Sequence, residues 1–105
     1  MLIATWNVNS IRTRLSQIID WINQVNPDIL CLQETKVMDE SFPIEPFKNI
    51  GYSVEIYGQK SYNGVAIISK EKASNVKKGF GDYANSDENI EIFQDQKRLI
   101  TADFD

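Results

Sequence analysis

Apolar and polar positions follow two different periods along this chain. From Ser10 to Gln24, Ile11, Leu15, Ile18, Ile19 and Ile22 recur at helical spacing, and Trp21 and Val25 widen the stripe. That pattern predicts an amphipathic helix, with Ser10 as its N-cap. Asn26-Pro27-Asp28 ends it, because a residue before proline avoids the helical region. The flanking segments, Leu2 to Trp6 and Asp28 to Gln33, are apolar on both faces and read as strands. A strand–helix–strand unit with such short connections predicts parallel strands and a right-handed crossover.

Beyond this unit the pattern shortens. Pro43 and Pro46 restrict Phe42 to Ile50 to a short helical turn. Tyr52 to Tyr57 and Gly64 to Ser69 read as strands around a polar loop, Gly58 to Asn63. Asn75 to Phe80 is a weaker strand, Gly81 to Gln96 an acidic loop, and Leu99 to Phe104 a last strand. Strands apolar on both faces need cover on both faces. The helix at 10–24 covers one, and no other segment is long and apolar enough to cover the second. The expectation is a partner or a second half of the fold.

Composition narrows the class. At 105 residues, 42% hydrophobic and 25% charged, the chain suits one small soluble domain. No apolar run approaches the roughly 18–20 residues of a membrane span. No basic region precedes the apolar start, as it would in a signal peptide. The expectation is a cytoplasmic protein without a membrane partner. Cys31 is the only cysteine and lies in the apolar run Ile29 to Leu32, which suits a small core residue. The chain has no histidine, which excludes His-dependent triads and Cys/His zinc sites. The net charge of −4 is unevenly spread. Residues 1–78 carry nine basic and eight acidic side chains, whereas residues 79–105 carry two basic and seven acidic. The local placement of Arg and Lys in the first three-quarters therefore decides what that part can bind.

Functional groups of a parallel strand–helix–strand unit collect beyond the carboxyl ends of its strands. Asn7 ends the first predicted strand and Glu34 follows the second, with Lys36 two residues on. One carboxylate, one amide and one ammonium suit a hard cation such as Mg²⁺, which takes oxygen ligands and keeps several waters. The same residues also suit a surface carboxylate–lysine pair. Arg12 and Arg14 lie in the first helical turn, where the helix dipole disfavours cations. Such side chains reach into solvent or face an anion such as a DNA phosphate. The loop from Gly58 to Gly64 mixes Lys60 and Tyr62 with small polar residues, which suits nucleic-acid contact, and a simple hairpin loop fits almost as well.

Taken in order, these segments resemble a known family. Thr5-Trp6-Asn7-Val8-Asn9-Ser10-Ile11-Arg12 is similar to the opening motif of exonuclease III-type DNA-repair nucleases, within the endonuclease/exonuclease/phosphatase superfamily. Pro27-Asp28-Ile29-Leu30-Cys31-Leu32-Gln33-Glu34-Thr35-Lys36 resembles their second motif. Gly51-Tyr52, Gly58-Gln59-Lys60, Asn63-Gly64-Val65-Ala66-Ile67 and Lys97-Arg98-Leu99-Ile100 continue the match. The Gln33-Glu34 pair belongs to the wider superfamily; its extension through Lys36 points to the repair branch.

The resemblance implies an α/β fold: a partial two-sheet α/β sandwich, with residues 1–105 as the N-terminal portion of one domain and the second half absent. It implies Mg²⁺- or Mn²⁺-dependent hydrolysis of double-stranded DNA at abasic sites or 3′ ends. It makes Glu34 the metal-ligand glutamate, Asn7 the asparagine beside it and Lys36 the lysine supporting the cluster. Arg12 becomes a helix residue near the DNA backbone, and Tyr62 and Asn63 lie in a loop approaching the DNA. Asn9 stands where some relatives carry an acidic residue. The later tyrosine, Asp-x-Asn, further aspartate and Ser-Asp-His segments of the family are missing here. The expectation is an enzyme by descent that is inactive as this chain alone. The alternative is a non-catalytic module binding DNA or protein through the retained half-site. A relative acting on phospholipid or inositol phosphates is disfavoured by Lys36 and the opening motif.

Overall fold

A computed structural model describes residues 1–80 and 96–105; most of the predicted acidic loop, 81–95, lies outside the described residues. The first predicted unit is present. Strand β1 (Ile3–Asn7) leads into helix α1 (Ile11–Val25) and strand β2 (Ile29–Gln33). β1 and β2 are parallel, with Asn7 level with Gln33. Ser10 caps α1 through its side chain, which accepts the Thr13 N–H at 3.2 Å. Asn26 closes the helix in the left-handed conformation, its N–H donating to the Ile22 carbonyl at 2.8 Å.

A 3₁₀ turn (Asp39–Ser41) and a short helix α2 (Glu45–Asn49) occupy the proline-restricted stretch. β3 (Ser53–Tyr57) and β4 (Val65–Ser69) complete a four-stranded sheet in the order β1-β2-β4-β3. β4 is antiparallel to both of its neighbours. A second sheet is a two-stranded antiparallel ribbon of β5 (Ser74–Lys78) and β6 (Ile100–Asp103). The fold is therefore mixed α/β with two sheets among the described residues.

The core lies on one face of the large sheet. Leu30, Leu32, Ala66 and Ile68 meet Ile11, Ile18 and Ile22 of α1 and Phe47 of α2, all nearly or fully buried. Burying a side chain of this size is worth about 1.5–3 kcal/mol, so this one layer dominates the stability. Trp6 packs edge-on against Trp21, with ring centroids 6.1 Å apart.

The opposite face departs from the sequence expectation only in part. The ribbon lies over β2 and β4, with Leu99 and Ile100 lining one pocket with Cys31, Val65 and Ile67. Ile29, Val65 and Ile67 are thereby buried. Two short strands cover this part, because β6 directs only Ile100 and Ala102 inwards and needs no long apolar run. Cover stops at β1, where Ile3 is 59% exposed.

The end of the sheet opposite Asn7 and Glu34 is pinned by Asp28. Its carboxylate accepts the Leu2 N–H at 2.6 Å and lies 3.8 Å from the Lys70 ammonium. Its backbone bonds both Leu2 and Lys70, so one residue links three strands. The Tyr52 hydroxyl adds a bond of 2.6 Å to the Pro27 carbonyl. The Leu2 N–H, and then Lys70, hold the Asp28 carboxyl below the ordinary carboxylate range. A lowered carboxyl pKa adds stability that is complete above the unfolded value and lost as pH falls through the folded one. Asp28→Asn is therefore expected to flatten the acid limb of thermal stability, measured as melting temperature against pH. An acid limb identical in the variant would show that Asp28 does not carry this linkage.

Candidate metal and phosphate site

Beyond the carboxyl ends of β1 and β2 the chain continues as two locked loops. Val8 donates its N–H to the Gln33 carbonyl at 3.0 Å, Ser10 to Glu34 at 2.9 Å, and Ile11 to Thr35 at 3.0 Å. The loop before β4 joins from the other side: Thr35 donates to the Gly64 carbonyl at 3.2 Å and Lys36 to Asn63 at 2.9 Å. Three segments distant in sequence thus share one strip of backbone bonds. Gly64 is required there. Its φ is +94°, and a Cβ would stand 2.2 Å from the Thr35 hydroxyl oxygen.

The strip holds four side chains in a closed ring of polar contacts. Asn7 Nδ2 donates to Glu34 Oε2. Glu34 Oε1 lies 3.9 Å from Lys36 Nζ. Lys36 Nζ donates to Asn9 Oδ1, and the Asn9 N–H returns to Asn7 Oδ1 at 3.2 Å. Glu34, Lys36 and Asn9 all have positive φ, at 54°, 61° and 44°. Non-glycine residues in that region are uncommon, and they gather at functional sites because surrounding bonds over-determine them. The Glu34 side chain is 45% exposed and that of Lys36 32%, so the ring is formed at the surface and open to a ligand.

The ring borders a cleft of about 350 Å³ lined by Asn7, Gln33, Glu34, Asn63, Gly64, Val65, Lys97 and Arg98. The two cations precede β6, so the cleft lies between the ends of the two sheets. Of the residues singled out from sequence, Asn7, Glu34 and Asn63 meet on this cleft, and Lys36 meets Glu34 through the ring. Arg12 is exposed on the first turn of α1, and Tyr62 is 71% exposed at its loop; neither lines the cleft. Gln33, Lys97 and Arg98 are cleft residues that sequence reading did not assign to the site. The Lys97-Arg98 pair was visible as a motif, but nothing local ties it to Glu34.

Among the described residues no three His, Cys, Asp or Glu side chains cluster. Chemically, Glu34 is a half-exposed carboxylate at a strand end, with one oxygen hydrogen-bonded to Asn7 and the other 3.9 Å from the Lys36 ammonium. That suits one oxygen ligand for a divalent cation whose remaining positions go to water and a phosphate. The Asn7 amide is used at both ends, by Glu34 and by the Asn9 N–H, which makes it an anchor for the carboxylate. Cys31, half-buried under the ribbon, has its thiol pKa raised by burial and is not poised as a nucleophile.

The chain also has relatives among known proteins. The chain is 38% identical over its whole length to exodeoxyribonuclease III of Haemophilus influenzae, covering 36% of that protein. It is 33% identical to the DNA repair nuclease APEX1 of Danio rerio over 99% of the chain, covering 33% of that protein. The chain thus spans about a third of the length of the curated relatives it matches. An AP endonuclease structure from Archaeoglobus fulgidus superposes with a TM-score of 0.84 at 47% identity, over 97% of this chain and 37% of that one. A Neisseria 3′ phosphatase bound to a product DNA hairpin gives the same TM-score at 38% identity, over the same shares. The family model for endonucleases, exonucleases and phosphatases matches residues 4–102, and the chain belongs to that family.

Proposed function

We propose that this chain builds the first part of a Mg²⁺- or Mn²⁺-dependent site that hydrolyses DNA phosphodiesters at abasic sites or 3′ ends. The observation that carries the reading is the closed Asn7–Glu34–Lys36–Asn9 ring at the mouth of a cleft that also holds two cations. Relatives named as exodeoxyribonuclease III and AP endonuclease support it.

In this reading Glu34 holds the cation. Asn7 and Lys36 fix the carboxylate so that it does not reorganise when the ion enters. Direct ligation by Asn7 would use its Oδ1 and release the Asn9 N–H. The bound cation would neutralise phosphoryl charge. Arg12 contacts a DNA phosphate from the helix, and Tyr62 and Asn63 approach the duplex from their loop. The chain has no histidine for a general base, and such a base is typically worth about 10²–10⁴-fold. Among the described residues one carboxylate lines the cleft, and without a histidine base it does not complete a hydrolytic centre, so the chain is expected to bind but not to turn over.

Two outcomes are expected. First, Mg²⁺ strengthens binding of the chain to a short duplex carrying an abasic-site analogue. Glu34→Ala removes that Mg²⁺ dependence, measured by fluorescence anisotropy, and no strand cleavage appears on gels. A Mg²⁺ effect that survives Glu34→Ala would refute the metal assignment. Cleavage that disappears in Glu34→Ala would refute the inactivity and mean that these residues build a complete site. Second, Arg12→Ala lowers the salt dependence of binding, reducing the slope of log K against log salt by about one. An unchanged slope would remove Arg12 from the contact.

A further inference from the structure

The cleft has a wall that the Glu34 ring does not explain. Lys97 and Arg98 line it from the turn that leads into the second sheet. We propose that Arg98, assisted by Lys97, is a binding site for a backbone phosphate of the nucleic-acid strand that enters the cleft. This rests on the functional reading above and adds residues to it.

The cations near the site are in different states. Lys36 is committed within the ring, to Asn9 and Glu34. Lys97 is held by an aromatic ring. Its ammonium lies 4.3 Å from the centre of the Tyr57 ring, a contact that restrains the side chain without neutralising it, and among the described residues neither ion pair involves it. Its backbone is also fixed, with φ at +51° and its carbonyl accepting the Gly64 N–H at 3.1 Å. The glycine that the loop strip requires therefore also fastens the cationic turn to the rim of the cleft. Arg98 is exposed, and among the described residues neither ion pair involves it.

A guanidinium presents a planar fork of donors that matches two phosphate oxygens. Placed on one cleft with a single carboxylate, it offsets the repulsion that Glu34 exerts on an incoming phosphate. Two cations against one carboxylate make the described lining net positive, although the chain as a whole carries −4. The restraint on Lys97 lowers the ordering cost of binding, because that side chain is already placed before the strand arrives.

The test is a salt titration of a fluorescent abasic-analogue duplex against the unaltered chain, Arg98→Ala, Arg98→Lys and Arg12→Ala, followed by anisotropy, with thermal melts of each. Arg98→Ala is expected to weaken binding about 3- to 10-fold at low salt and to lower the salt slope by about one. Arg98→Lys restores the slope but not the full affinity, because the charge returns without the fork. An Arg98→Ala chain with a lower melting temperature and an unchanged salt slope makes Arg98 a structural residue and overturns the proposal. If Arg12→Ala reduces the slope while Arg98→Ala does not, the nuclease reading stands and this inference falls. If the unaltered chain shows no salt-dependent binding, both fall.

Discussion

Ser10 and Ile11 give their backbone N–H groups to the carbonyls of Glu34 and Thr35, and through that pair of bonds the start of helix α1 and the site become one piece. The parallel pairing of β1 and β2 sets the level of Asn7 against Gln33. The bonds beyond the strand ends carry that registration one turn further. Glu34 therefore cannot move without disturbing the helix N-terminus, and the buried face of α1 holds that N-terminus in place. Core packing and site geometry are the same constraint seen from two ends.

That constraint is what sustains the unusual backbone. A non-glycine residue with positive φ costs of order 1–3 kcal/mol when strained, and three such residues belong to one four-membered ring here. Each is fastened by a bond from an element distant in sequence: Glu34 from the α1 entry, Lys36 from Asn63, and Asn9 from Lys36, with a local bond to Asn7 besides. The result is a carboxylate presented at the surface with its orientation already fixed. A group that is to hold a hydrated cation needs that preorganisation, because reorienting on binding would consume affinity that a single carboxylate does not have to spare.

Much of this was legible from residue order alone. The helical stripe from Ile11 to Ile22 and the proline after Asn26 set the first helix, with Ser10 as its cap. Short connections made its flanking strands parallel, which brought Asn7 and Glu34 to one edge. Other features were hidden for physical reasons. Cover for the second sheet face came from Ile100 and Ala102, two modest inward residues whose contribution depends on stacking rather than on any apolar run. Lys97 and Arg98 lie more than sixty positions from Glu34, and only the antiparallel placement of β4 and the fold-back of β6 bring them to the cleft. Arg12 and Tyr62 could be named by motif, yet their side chains stand outside the cleft. Only a surface larger than the cleft, such as a duplex, would reach them together with Glu34.

The claim that most depends on all of this is that Glu34 is where a divalent cation sits. Its most direct test is Mn²⁺ titration into the ¹⁵N-labelled chain, read as paramagnetic broadening of backbone amide signals. Early broadening centred on the ring and cleft residues around Glu34, namely Asn7, Asn9, Lys36, Asn63 and Gly64, is the expected result, because these surround the Glu34 carboxylate. Broadening that begins instead around Asp28 or in the acidic segment 82–95, with the Glu34 strip unaffected, would contradict it.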